Sequence, residues 1–592
     1  MRLSSVRIIA GISCLSFAAA AWLVGSPSSS SDFTAEAQTV RPAAASPAQA
    51  SQLHAISASV PDTAKPAPLP DPKPVAAPGT EIYTAKRGEA IPTIAHRYLG
   101  KTSYLTPSEL AEAIRSVNHK SDASNILKAN ETILIPGILA APLTEKTIPV
   151  PKDFEVRAIY LTGIMAASDH GLRIIRHWRE VGGNAVVFDI KDSDGSVNIP
   201  FEHPLLGEHK VYIHDVAKLV RFLHQQNMHA IARIAIFRDE RLVVAHPELA
   251  VQSRKNKQAW RENGKLVWTD PSQPKVQDYN IALAKHVAQL GADEIQFDYV
   301  RFPAEGDQKD AQFVYQNGQP EATQAASQSA TDASQPAKAG TPEAAKADMS
   351  GSPNSSPEGT GCASPGRKSR AAASEKGTKS RREGTKSGGC PVVATKPATP
   401  RGPQRTDVIT AFLKKAYGEL HNTGVLLSLD VFGVMAWQRQ VDLSHTGQDI
   451  VGMAHYCDVL SPMIYPSHFF GMDNIAHPGD EPAHFIGESM DRFELITQGS
   501  GVVIRPWLQA FHWRTKTYSP EYIKIQVETA KDKGGIGFLF WNAANDYSKP
   551  YEAMPEMKSA NAKEKDKFFR GDELPGTTVK ASLPPAPVTA AP

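Results

Sequence analysis

The stretch DEIQFDYVRFP, residues 293–303, has the composition of a buried β-strand yet carries Asp298 and Arg301. A charged side chain inside a protein is costly unless it is paired or hydrogen-bonded. Short apolar runs of the same kind recur from Val156 onward and alternate with amphipathic helical patterns. This alternation predicts a parallel sheet with crossover helices, so Asp298 and Arg301 are expected at the end of one of its strands.

Eight such apolar runs adjoin helical patterns, and together they predict an α/β fold, a (β/α)₈ TIM barrel. The runs are VRAIYLT, NAVVFDIKD, HAIARIAIF, DEIQFDYVRF, VLLSLDVFG, CDVLSPMIY, VVIRPWLQAF and GIGFLFWNAAN. The active sites of these barrels lie at the carboxyl ends of the strands. Polar residues at those ends are therefore the candidates for function.

Composition divides the rest of the 592-residue chain, whose 45 prolines are concentrated in spacers. Segments rich in Ala, Pro, Ser and Gly bury too little apolar surface to fold. The predicted segments are a signal peptide or membrane anchor (1–25), an Ala/Pro-rich linker (26–80), a small domain (81–137), the barrel (154–560) with a disordered insertion (304–405), and a disordered tail (561–592).

The N-terminal segment indicates an exported protein. Two arginines precede the apolar stretch of MRLSSVRIIAGISCLSFAAAAWLVG, which is typical of a secretory signal or an uncleaved anchor. We expect the periplasm, the cell envelope or secretion. The net charge of +2 comes from balanced acids and bases, so no nucleic acid partner is expected. Cys457 is predicted to be a core residue, and whether Cys362 and Cys390 pair is left open.

Residues 81–137 predict a strand, two amphipathic helices and a closing strand. The motifs YTAKRGEAIPTIAHRY and LKANETILIPG, with Asn118 after the second helix, resemble a LysM domain. The resemblance implies binding to peptidoglycan or another N-acetylglucosamine polymer.

The predicted strand ends combine acids with aromatic residues. Carboxyl groups supply the acid and the nucleophile of glycoside hydrolysis, while aromatic faces stack on sugar rings. The catalytic candidates are Asp298 and Asp430. The predicted substrate-binding residues are Asp189, Asp192, Arg301, Tyr465, His468, Trp507 and Trp541.

Six motifs in order, VVFDIKDSDG, ARIAIFRD, GADEIQFDYVRFP, LSLDVFG, LSPMIYPSHF and GGIGFLFWNAAND, resemble the putative glycosyl hydrolase family of bacterial TIM-barrel domains. Three of these runs are also similar to chitinases of the DxxDxDxE type. Val300 stands where that pattern has its catalytic Glu. The resemblance therefore does not imply substrate-assisted chitinase chemistry.

Asp298 is the predicted nucleophile, because several retaining barrel families use that position, and Asp430 is the predicted general acid/base. Asp430 could instead cap the next helix or pair with Arg301. Asp189 and Asp192 compete for the second role.

The stretch DIKDSDG could equally be a turn in which Asp192 and Asp194 bond their own backbone. Lys191 and Arg301 are expected to orient a carboxylate or lower its pKa.

The favoured function is an exported glycoside hydrolase acting on a cell-envelope or extracellular polysaccharide and held there by LysM binding. The alternative is a non-catalytic glycan-binding protein with a degenerate barrel. A metal-dependent deacetylase is disfavoured because no convincing His/Asp ligand cluster is visible. No metal or cofactor is expected.

Overall fold

The structure is a computed structural model that describes residues 77–121, 125–317 and 402–560. These residues, Gly402 excepted, belong to one compact unit. The predictions for the following lie outside the described residues: the N-terminal segment, the linker up to residue 76, most of the insertion with Cys362 and Cys390, and the tail from residue 561. Within the described ranges no helix is long and apolar enough to cross a membrane.

A small module of two strands and two helices precedes the barrel. Its elements are β1 (Thr80–Thr84), α1 (Ile91–Tyr98), α2 (Pro107–Val117) and β2 (Thr132–Pro136), and the two strands pair antiparallel. Isoleucine, leucine and alanine side chains form its core. Asn118 joins a helix to a strand, because its amide donates to Ile114 O at 2.7 Å and accepts from Leu134 N at 2.8 Å.

The remaining strands build the main domain. They are β3 (Val156–Leu161), β4 (Ala185–Lys191), β5 (His229–Ala235), β6 (Gln252–Ser253), β7 (Glu294–Asp298), β8 (Ala311–Gln312), β9 (Leu426–Phe432), β10 (Val459–Met463), β11 (Val503–Ile504), β12 (Trp507–Gln509) and β13 (Gly537–Trp541). All pairings are parallel except that between β6 and β8, which lies outside the barrel sheet.

The barrel sheet closes on itself. Its order is β3, β4, β5, β7, β9, β10, β12 and β13, and β13 pairs with β3. β11 and β12 are two parts of one barrel strand separated by Arg505 and Pro506. Proline has no N–H to give to the ladder, which accounts for the break. Across the described part of the chain, this closed ring of eight parallel strands confirms the predicted (β/α)₈ barrel.

Helices connect the strands and cover the outer face of the barrel. They are α3 (Gly163–Ala166), α4 (Asp169–Glu180), α5 (Val216–Gln225), α6 (Glu240–Ala245), α7 (Pro274–Gln289), α8 (Arg405–Leu420), α9 (Gln440–Thr446), α10 (Ile450–Met453), α11 (Pro482–Thr497), α12 (Pro520–Asp532) and α13 (Ser548–Ala560). Side chains cap several N-termini: Ser168 accepts from Gly171 N and Asp215 accepts from Lys218 N, both at 3.0 Å.

Apolar side chains between the sheet and the helices form the main core, which includes the buried Cys457 as predicted. The amino-terminal end of the barrel interior is polar instead. Arg505 Nη1 binds both oxygens of Glu294 at 2.9 and 2.8 Å, and His229 Nε2 lies 3.1 Å from the same carboxylate. All three side chains are fully buried, and the charges of Arg505 and Glu294 compensate each other inside the barrel.

Residues 304–317 were predicted to belong to the disordered insertion, but the structure places them in the folded domain. Ala311 and Phe313 are buried, and the Phe313 ring packs edge-on against Phe302 at 4.9 Å. Phe313 and Tyr315 anchor this segment, because the apolar surface that their rings bury stabilises it despite the polar residues around them.

The module contacts the outer helices of the barrel. Arg176 of α4 binds Glu109 at 2.7 Å, and Thr106 donates to Asp169 at 2.5 Å. Lys218 of α5 donates to Leu99 O at 2.8 Å. These contacts are polar, and the ion pair is partly exposed to solvent, which is characteristic of a modest interface between domains.

Candidate active site

Four ionisable side chains from consecutive barrel strands meet toward the carboxyl ends of those strands. Asp189 lies on β4, Arg233 on β5, Asp298 at the end of β7 and Asp430 on β9. β4 and β5 pair Asp189 with Arg233 directly. β7 and β9 pair in register up to the residue before each acid, so Asp298 and Asp430 are neighbours on adjacent strands.

Arg233 lies among three carboxyl groups. Its Nη1 donates to Asp189, its Nη2 donates to Asp298 Oδ2 at 2.6 Å, and its Nε donates to the same Asp298 oxygen at 3.2 Å. Asp430 Oδ2 is 3.8 Å from the same Nε. Burial alone would lower the pKa of Arg233, but the charges of Asp189 and Asp298 raise it well above its usual value. One permanent cation therefore faces three acids.

Asp430 lies in surroundings that favour its protonated form. Asp430 is 2 % exposed. Burial and the neighbouring negative charge of Asp298 raise its pKa well above the usual range. Arg233 and the indole of Trp507, which donates to Asp430 Oδ1 at 2.7 Å, only partly offset this effect. A carboxyl group that is protonated at neutral pH can donate a proton.

Asp298 is held in the opposite way. One oxygen binds the Arg233 guanidinium and the other accepts from Tyr299 N at 2.6 Å. Tyr299 adopts a left-handed φ of 54°, which costs a bulky residue free energy. This strained turn brings the Tyr299 amide onto the carboxylate. The donors of Asp298 thus stabilise a negative charge at a fixed position.

Asp192 is a second acid of this site that keeps its proton, and it lies beside Asp189. Asp189 is fully buried and accepts hydrogen bonds from Arg233 and from the Tyr160 hydroxyl. Asp192 is half-buried and accepts from Asn198 Nδ2 at 3.2 Å. Burial, followed by the charge of Asp189, raises the pKa of Asp192 to about 9. Asp192 therefore remains a second group that can release a proton.

A small cavity of about 20 Å³ adjoins the two central acids, and its volume suits about one water molecule. Its lining residues are Asp298, Tyr299, Arg301, Asp430, Phe432, Gln448 and Met463. Within the described ranges, no three His, Cys, Asp or Glu side chains are grouped so as to hold a metal ion.

Aromatic rings form one wall beside the acids. Trp541 is half-buried and stacks on Tyr160 at 6.5 Å and 28°. Tyr465 and Phe511 pack on the same indole at 5.9 and 5.3 Å between ring centroids. Packing on several sides fixes the indole, and its accessible surface offers a platform for the apolar face of a sugar ring.

The family profile of the putative glycosyl hydrolase domain matches residues 158–547, about two thirds of the chain. The chain belongs to this family. The match begins in β3 and ends after β13, so this glycosyl hydrolase domain contains all the predicted site residues. The N-terminal module lies outside the match, and its LysM assignment stays a prediction. No protein with a curated description matches the chain.

Several solved structures are similar to parts of the chain. A hypothetical protein from Ruminiclostridium thermocellum is 37% identical over 28% of this chain and 85% of its own, with a TM-score of 0.25. The PgaB (BpsB) glycoside hydrolase domain from Bordetella bronchiseptica is 12% identical over 68% and 99%, with a TM-score of 0.41. The spore cortex-lytic enzyme SleL from Bacillus megaterium is 10% identical over 80% and 85%, with a TM-score of 0.33.

The predicted site residues differ in how deeply they are buried in the glycosyl hydrolase domain. Asp298 and Asp430 are adjacent. Trp507 is 2 % exposed and Tyr465 is 4 % exposed, so both lie behind the accessible surface. Trp507 contacts Asp430 directly, as described above. His468 is half-buried against Trp513 at 4.7 Å, farther along the wall of aromatic rings.

The predicted turn in DIKDSDG is present in part. Asp194 Oδ1 accepts from Ser196 N at 2.8 Å, which is the predicted bond to local backbone. The carboxyl group of Asp192 contacts Asn198 and Asp189 instead. Only one of the two acids of this stretch is therefore explained by the turn.

The cation that orients the catalytic candidates is Arg233, which sequence reasoning missed. Lys191 pairs with Asp239 at 2.7 Å instead of a catalytic candidate. Arg301 makes no ion pair within the described ranges. Arg233 lies inside the apolar run HAIARIAIF. The sequence did carry a signal for this residue. Side chains alternate between the two faces of a strand, so Arg233 lies on the same, inward face as Ile231.

Proposed function

We propose that the chain is a glycoside hydrolase that cleaves a cell-envelope or extracellular polysaccharide. The observation that carries this proposal is the pair of neighbouring acids with opposite environments. Asp430 is buried with a raised pKa, whereas Asp298 is bound by Arg233. Two carboxyl groups whose surroundings separate their protonation states are what acid-assisted glycoside cleavage requires.

The proposed roles follow from those states. Asp430 gives its proton to the glycosidic oxygen as the bond to the anomeric carbon breaks, and the carboxylate of Asp298 forms a bond to that carbon. Asp430, now ionised, then takes a proton from a water molecule. The resulting hydroxide displaces Asp298, which returns both acids to their starting states. Arg233 keeps the Asp298 carboxylate in place throughout.

The spacing of the acids favours the retaining form of this chemistry. Asp298 Oδ2 and Asp430 Oδ2 lie 3.2 and 3.8 Å from the same Arg233 nitrogen, so these two oxygens are at most about 7 Å apart. Retaining enzymes separate their carboxyl groups by about 5–5.5 Å and inverting enzymes by about 6.5–9.5 Å. Acids that are direct neighbours on adjacent strands fit the shorter range.

The N-terminal module supplies targeting in this proposal. Its strand, helix, helix, strand order and its sequence motifs resemble LysM domains, which supports binding to peptidoglycan or another N-acetylglucosamine polymer. An enzyme tethered to its polymer meets cleavage sites at a raised effective concentration. We propose that the protein is exported and works at the cell envelope or outside the cell.

Release of reducing ends tests the proposal. The substrates are peptidoglycan, chitin oligomers and bacterial exopolysaccharides, and the variants are Asp298→Asn and Asp430→Asn. Asp458→Asn is the matched control, because this buried acid binds Leu427 N at 2.9 Å near the opposite end of the barrel strands. We expect the control to stay active and both site variants to lose at least about 100-fold. Polymer binding without hydrolysis by any form of the protein would favour the non-catalytic alternative.

A further inference from the structure

Two arginines flank one strained tyrosine beside the proposed nucleophile. The guanidinium of Arg301 lies 5.7 Å from the Tyr299 ring centre, and that of Arg238 lies 5.5 Å from the same ring. Arg301 also stacks on Trp268 and Phe432, both at 4.6 Å. Aromatic faces therefore hold two like charges close to each other and to Asp298.

Neither arginine makes an ion pair with an acid within the described ranges. Arg301 Nη1 donates to Phe302 O at 3.1 Å, and Arg238 Nη1 donates to Ser193 O at 2.5 Å. These carbonyl contacts are their hydrogen bonds in the described part of the chain, and no carboxylate lies within 4.0 Å of either guanidinium. Each therefore keeps several N–H donors for a ligand.

Arg301 is both buried and aimed at the cavity. It is 7 % exposed, and it lines the 20 Å³ cavity together with Asp298 and Asp430. Burial lowers its pKa, and the more distant charges of Glu262 and Asp298 offset this effect only in part. A ligand that supplies an anion here relieves that cost. Arg238 is half-buried and places a second cation close to the first.

We propose that Arg301 and Arg238 form a subsite for a carboxylate carried by the sugar, so that the substrate is an acidic polysaccharide. This inference rests on the proposed glycosidase function and names its substrate class. Guanidinium groups bind carboxylates through paired, planar N–H donors. Two cations also offset the repulsion that a substrate carboxylate would meet from Asp298. Uronic acid and muramic acid both carry such a group.

Binding of monosaccharide pairs to the full chain tests the subsite. The probes are glucuronate against glucose and N-acetylmuramate against N-acetylglucosamine, followed by ligand-observed NMR with the wild-type protein, because these monosaccharides have no glycosidic bond to cleave. We expect at least one acidic sugar to bind tenfold or more tightly than its neutral partner. The preferred pair identifies the source of the carboxylate. Arg301→Gln and Arg238→Gln are expected to reduce this ratio to threefold or less.

Arg405→Gln is the matched control. Arg405 also stacks on two rings, Phe302 at 5.2 Å and Phe313 at 4.7 Å, but both of its Nη atoms are bound, Nη1 to two backbone carbonyls and Nη2 to Gln308 Oε1 at 3.0 Å. The control should keep the acidic preference even if it melts at a lower temperature. If Arg301→Gln does not fold, Arg238→Gln alone decides.

Equal binding of acidic and neutral sugars, or a preference that survives both arginine substitutions, overturns the subsite. Hydrolysis of a neutral polymer without any acidic preference would contradict the proposed subsite but support the proposed hydrolase. A preference for acidic sugars without hydrolysis of any acidic or neutral polymer would contradict the proposed hydrolase but support the proposed carboxylate site.

Discussion

Replacing Trp507 with Phe isolates the hydrogen bond that tunes the proposed proton donor. The indole N–H donates to Asp430 Oδ1 at 2.7 Å, and phenylalanine keeps an aromatic ring while removing that donor. The bond stabilises the ionised carboxylate, so its loss must raise the pKa of Asp430 further. A hydrogen bond to a charged group contributes about 1.5–3 kcal/mol, and one pKa unit equals about 1.4 kcal/mol. We therefore expect a rise of about 1–2 units.

The assay is the pH dependence of kcat/KM on the substrate found by reducing-end release. A proton donor must be protonated to act, so the alkaline limb of the profile reports its loss of a proton. That limb should move to higher pH by about 1–2 units in Trp507→Phe. Trp178→Phe is the control, because it removes a similar bond, to Arg157 O at 3.1 Å, far from Asp430 in the sequence and outside the site. An alkaline limb that stays in place or moves to lower pH refutes Asp430 as the donor.

Three further predictions concern the charged groups of the barrel. Arg233→Lys should lower kcat/KM about 100-fold, because an ammonium group lacks the two planar N–H arms that bind Asp189 and Asp298. Thermal melting checks that the variant folds. In Asp192→Asn the alkaline limb of the kcat/KM profile should stay at the same pH. Loss of that limb would identify Asp192, and not Asp430, as the proton donor. Burial opposes ionisation of Glu294, but Arg505 and His229 lower its pKa from 4.5 to about 2. Stability from this group is full above about pH 4.5 and is lost toward pH 2, so acid unfolding of wild type should show about 3 kcal/mol of pH dependence that Glu294→Gln lacks.

The periodic pattern of the sequence was enough to predict the barrel. Each strand is an apolar run that is buried on both faces, and the amphipathic helices between them leave little choice but crossover connections. The boundaries were harder to predict. The folded segment 304–317 has a polar composition, and Phe313 anchors it by packing against Phe302, a contact that composition alone does not reveal.

The candidate acids could be predicted for a similar reason. Asp298 and Asp430 come at the ends of apolar runs, and parallel strands gather their carboxyl ends at one edge. Their partner could not be identified in this way. Arg233 lies in the middle of an apolar run, and its ion pairs cross to strands β4, β7 and β9, away from it in the sequence. Linear order shows which residues are polar but not which charges will face each other.

The balance of charge explains why Asp430 is the acid that stays protonated. Asp189, Asp298 and Asp430 surround one guanidinium, and a buried site cannot hold three carboxylates against a single cation without a large cost. Arg233 makes close contacts with the first two acids but lies 3.8 Å from Asp430. The proton therefore resides on the acid with the weakest contact to the cation. The same packing that folds the barrel thus separates the proposed proton donor from the proposed nucleophile on adjacent strands.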